Sequence, residues 1–159
     1  MRLAAAIAVL ALGVAVANAD DVLFSGDVVT VCSVLAKTNG TLRLNTSGDA
    51  MTSEVLSGGT PGSITLLSIG NNRISVSAPV RTGQGAGYVA SGEAIEVSYL
   101  GASGLSLVNQ AFTPSASFVD ATGAISASVL TVNNRIVNTN GFTAGTYSTK
   151  TTITCAPTP

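Results

Sequence analysis

Between Thr146 and Cys155 every second residue belongs to one set. Tyr147, Thr149, Thr151, Ile153 and Cys155 fall on one side, and Ser148, Lys150, Thr152 and Thr154 fall on the other. A period of two is the mark of an extended strand with one buried face, because successive side chains of a strand point to opposite faces. The pattern recurs along the chain. Ile95, Val97 and Tyr99 alternate with Glu96 and Ser98, Ile74 and Val76 with Ser75 and Ser77, and Leu42 and Leu44 with Thr41 and Arg43. Ile125, Ala127 and Val129 alternate with Ser126 and Ser128, which predicts an apolar core face through the odd positions. Val28–Leu35 and Ser63–Ile69 are β-branched, apolar runs of strand length. Residues 124–136 have the length of a helix, but their Ser, Thr and Val content and their alternation favour a strand.

The punctuation agrees with many short strands. Asn39-Gly40, Ser57-Gly58-Gly59, Gly70-Asn71-Asn72, Ser103-Gly104, Thr122-Gly123 and Asn140-Gly141 separate the runs. Such pairs supply the positive φ that tight turns need. Strands at roughly ten-residue spacing with no helical segment between them predict an antiparallel, immunoglobulin-like β-sandwich, with a closed barrel as the alternative.

The first residues belong to a different pattern. Met1-Arg2 gives one positive charge, Leu3–Val16 is uncharged and apolar, and Ala17-Asn18-Ala19 is a small-x-small site ahead of Asp20-Asp21. These are the three parts of a secretory signal peptide, with cleavage expected after Ala19. The apolar run is shorter than the roughly 20 residues that span hydrocarbon. The expected organisation is a signal peptide over residues 1–19 and one β-sandwich domain over residues 20–159, with no membrane span after cleavage. The expected location is the periplasm, the cell surface or the medium.

Export bears on the two cysteines. Cys32 and Cys155 lie near opposite ends of the mature chain, in a compartment that oxidises thiols. One intramolecular bond is possible, and two free thiols are the alternative. Closing so long a loop stabilises by about 4–5 kcal/mol in the chain-entropy model.

Catalytic chemistry is hard to place on this chain. It has no histidine, so Ser-His and Cys-His nucleophiles and the commonest general base are excluded. Two cysteines without histidine do not complete a zinc site, and no metal or other cofactor is expected. Glu93 and Glu96 are a close acidic pair, but odd spacing on one strand puts them on opposite faces, so no catalytic residue is expected. Residues 83–87 resemble a phosphate loop in glycine content only. With seven basic and eight acidic residues in the chain, nothing forms the basic footprint of a nucleic-acid binder.

Two stretches resemble a known group. Phe24-Ser25-Gly26-Asp27-Val28-Val29-Thr30-Val31-Cys32 looks like the opening of bacterial pilin-type subunits, where a strand runs into a cysteine. Phe142–Thr154, with Gly145-Thr146-Tyr147 followed by alternating Thr and Ile, resembles their terminal strand, an ending shared with spore coat protein U-like secreted subunits. The resemblance implies a structural or adhesive surface subunit that is not an enzyme. It implies a sandwich lacking one strand, which self-association by strand addition or a periplasmic chaperone would supply. Val22 and Phe24 then belong to the donor segment, their side chains on one face. Cysteines at opposite ends of the chain depart from the pilin pattern, in which the bond links the first two strands. The alternative function is a monomeric secreted binding module for carbohydrate. The chain has no Trp, and with Tyr99 and Tyr147 on core faces, Tyr88 is the tyrosine left to form a platform.

Overall fold

The computed structural model describes Ser25 and residues 30–102, 108–121 and 125–158. The expected leader, and Val22 and Phe24, lie outside the described residues. Those described form an antiparallel β-sandwich with no α-helix among them.

Six strands and a short hairpin partner make the first sheet. β1 (Val31–Thr38) pairs with β4 (Gly62–Ile69), which pairs with the first half of β10 (Ser126–Asn138). The second half of β10 pairs on the same side with β3 (Ala50–Thr52), which carries β2 (Arg43–Leu44). The other side of β10 is covered by β7 (Glu93–Ala102), and β8 (Val108–Thr113) borders β7. In the second layer, β5 (Asn72–Val76) lies between β9 (Ser117–Ala121) and β12 (Ile153–Pro157). β6 (Val80–Gly83) continues the line of β5 and pairs with β11 (Ser148–Lys150). Ser77 and Thr152 bridge the two ladders, with Ser77 N–H donating to the Thr152 carbonyl and Thr152 N–H to Ser77 Oγ. The order β1-β4-β10-β7 is that of the A-B-E-D sheet of an immunoglobulin sandwich, and the β5/β6 and β11/β12 lines stand in the places of C and F.

The residues explain the layers. Ile64 and Leu66 from β4, Leu130 from β10 and Val97 and Tyr99 from β7 face Ile74 and Val76 from β5 in one core. A smaller cluster at the other end holds Ile136, Tyr88 and Tyr147. There the Tyr147 hydroxyl accepts from Thr143 N–H and donates to the Thr143 carbonyl, both 3.0 Å. This ties the start of the last strand to the loop before it, in the manner of the tyrosine corner of immunoglobulin folds. In that loop Gly145 (φ 151°) lies against Gly85, and a Cβ on either would collide with the other loop's backbone.

The parity of β10 reverses the expectation for its first residues. Ile125 is 72% exposed, and Ala127 and Val129 are exposed, while Ser128 is buried opposite Leu66. A strand of 13 residues has one inward set, and here Leu130 and Ile136 fix it at the even positions. The shorter apolar alternation at 125–129 therefore points outward, because a one-residue change of parity exchanges faces. Leu44 is also half exposed, since its strand is only two residues long.

Cys32 and Cys155 are bonded, with Cα atoms 5.8 Å apart and 123 residues between them in sequence. The bond joins β1 to β12 where no backbone ladder does.

Candidate functional site

Among the described residues β1 pairs only with β4, and the β11/β12 line only with β6 and β5, so each stands at the edge of its sheet there. The two edges face each other across the sandwich. They are pinned together by the disulfide at one end and separated at the other by a cleft of about 860 Å³. The register shows what lines it. Val34 stands opposite Leu66 and Lys37 opposite Ile64, so both point to the inner side of β1. Val34, Ile64, Val132 and Ile153 give the cleft apolar walls, and Val34 is 55% exposed.

Polar groups complete it. Asn134 donates to Thr149 Oγ1 at 3.0 Å and accepts from Thr151 Oγ1 at 2.9 Å, so the floor's amide is held by the facing strand. Lys37 and Lys150 both line the cleft, and among the described residues neither is ion-paired. Each lies five positions from its half-cystine, on opposite walls at the end away from the bond. The cleft thus offers two unpaired backbone edges, an apolar interior and positive charge at its wide end. An open strand edge of this kind is a template for a further strand.

The acidic residues are placed otherwise. Glu93 and Glu96 share β7 and point to opposite faces. Glu93 pairs with Arg81 and accepts from the Tyr88 hydroxyl at 2.9 Å. Glu96 pairs with Arg135, which in turn lies over the Phe112 ring at 4.0 Å. Each carboxylate is neutralised by its own arginine, and the two do not converge. Among the described residues no group of three His, Cys, Asp or Glu side chains is gathered. No helix among them is long and apolar enough to cross a membrane.

Tyr88 is no platform. It is 7% exposed and packs against Phe142 and Tyr147, with ring centroids 5.7 and 5.2 Å away. Burial, and secondarily Glu93, push its phenol above the ordinary value. Among the described residues the exposed aromatic is Phe118, which sequence reasoning passed over. The signal available was its place in Ser117–Ala121, where Phe118 and Asp120 alternate with Val119 and Ala121.

No family model, curated protein or solved structure matches the chain.

Proposed function

We propose that this protein is an exported, non-enzymatic subunit of a surface assembly, joined to its neighbours by a strand added in the cleft between β1 and β11/β12. The observation that carries this reading is the pair of facing free edges. In an immunoglobulin sandwich a strand beside F completes the second sheet. Here no described strand occupies that position, beside β11/β12.

The occupant is the segment Asp20–Asp27 of a second copy, freed at its start by cleavage after Ala19. Three features support it. Its eight residues span roughly 26 Å when extended, which matches the eight residues of β1. Val22 and Phe24 present apolar side chains on one face, as the cleft's interior requires. Asp20, Asp21 and Asp27 are acidic, and the cleft's charged lining residues are Lys37 and Lys150. Before assembly a periplasmic chaperone would cover the same edges, which would otherwise pair indiscriminately.

The test compares the mature protein with a form beginning at Val28, by sedimentation at low and high concentration, and adds a labelled Asp20–Asp27 peptide. The expected result is concentration-dependent assembly of the mature protein only, and peptide binding to the shortened form. Phe24→Ala in the peptide should weaken binding by about 2 kcal/mol, roughly 30-fold. Lys37→Glu with Lys150→Glu should weaken it most at low salt. A mature protein that stays monomeric throughout, whether or not its own segment fills the cleft, refutes the polymer reading.

A further inference from the structure

On the far side of the second sheet a single rung carries Phe118, Ser75 and Thr154, from β9, β5 and β12 in turn. Phe118 is 58% exposed. The Arg73 guanidinium lies over its ring, 4.0 Å from the centroid, and is itself fixed by two bonds to Asp120 of 2.7 and 2.9 Å. A planar cation on an aromatic face is a favourable and orienting contact. Arg73 does not line the hollow of about 290 Å³ next to Phe118, so its stack leaves the other side of the ring to that hollow.

Ser75, Thr152 and Thr154 line the hollow, their hydroxyls have no hydrogen-bond partner among the described residues, and no charged residue lines it. Two of the three stand on neighbouring strands of Phe118's own rung. An aromatic ring presents a negative face that attracts the weakly positive hydrogens of C–H groups. Unpaired hydroxyls at its margin both donate and accept. One small-molecule class carries both counterparts on one rigid frame: a pyranose, with C–H groups gathered on one face and hydroxyls around its rim.

We propose that the hollow beside Phe118 is a subsite for an uncharged pyranose, its C–H face stacked on Phe118 and its hydroxyls bonded to Ser75, Thr152 and Thr154. The Arg73–Asp120 pair is the positioning element that holds the ring upright. The subsite lies on the outer face of the second sheet and draws no residue from the cleft except Thr152, which lines both. It therefore stands or falls separately from strand addition.

The experiment is saturation-transfer NMR on the mature protein, with methyl β-D-galactopyranoside and methyl β-D-glucopyranoside as probes and glycerol as a control with hydroxyls but no flat face. Transfer should be strongest to the ring protons of the C–H face and should saturate at millimolar sugar. Phe118→Ala should lower the affinity at least tenfold, Phe118→Trp should preserve it, and Ser75→Ala with Thr154→Val should lower it several-fold. Thermal midpoints recorded on the same samples separate loss of binding from loss of fold. The proposal is overturned by no transfer to either sugar, by equal transfer to glycerol, or by transfer unchanged in Phe118→Ala. It is equally overturned if Phe118→Ala alters self-association and leaves sugar binding intact, which would make this face a protein contact.

Discussion

Replacing both half-cystines, Cys32→Ser with Cys155→Ser, is the perturbation whose size follows most directly from the structure. The bond closes a loop with a sequence separation of 123. The chain-entropy relation gives a denatured-state loss of about 16 cal/mol/K for that length, or about 5 kcal/mol at 25 °C. Among the described residues no backbone ladder joins β1 to β12 in the bond's place. Urea unfolding measures the effect. With a slope of about 2 kcal/mol/M, the midpoint should fall by about 2.5 M. The thermal midpoint should fall by about 15 °C. Mass spectrometry of the non-reduced parent must first show the two peptides linked. The reasoning fails if the linked parent and the double variant differ by less than about 1 kcal/mol, for then the denatured chain is not restrained by the bond as a flexible loop would be.

Two further perturbations follow from the same framework. Asn72 is fully buried, and the two N–H groups of its amide are shared among the Val31 carbonyl, Ser68 Oγ and the Ile69 carbonyl, 3.2, 2.7 and 3.0 Å from the nitrogen. Asn72→Ala removes the donor from the buried Ser68 hydroxyl and from both carbonyls and should cost about 2–3 kcal/mol by urea titration, whereas a change within about 0.5 kcal/mol would show them satisfied elsewhere. The hydrogen bonds from Arg73 hold the Asp120 carboxyl below its ordinary value. The pair's contribution is therefore complete above the ordinary carboxylate range and fades only as pH falls through the lower folded value. A carboxyl-detected NMR titration should show a depressed midpoint that returns to normal in Arg73→Gln, with no change in the Phe118 ring signals between about pH 5 and 8.

The strands were legible because half-buried strands write their geometry as a period of two. Ile74 and Val76, Val97 and Tyr99, and the face from Tyr147 to Cys155 fall where the alternation puts them. Failures came where local alternation competed with a longer strand. At Ile125–Val129 a five-residue pattern lost to the parity of the rest of β10, which only the pairing with β4 and β7 determines. The cleft was not readable from spacing, because it depends on two edges distant in sequence meeting across the sandwich. Its two lysines stand on different strands and line the same cleft only because the sandwich brings β1 and the β11/β12 line to facing edges. Phe118 escaped notice because nothing in so short a strand says which set faces out, and its exposure follows from sharing the outer face with Ser75 while Val119 and Ala121 turn to the core.

The bond between Cys32 and Cys155 also changes what kind of object the molecule is as a covalent graph. From Cys32 to Cys155 the backbone becomes a closed ring, with a tail at each end. A protease that cuts any one loop inside the ring, the exposed turn at Val55–Ser57 for example, opens it and releases nothing. Two cuts are needed to free a fragment. A single cut between Asp27 and Cys32 sheds everything before it, the Asp20–Asp27 segment included. The ring withstands single nicks covalently, and the two tails are the only parts that one cleavage can remove.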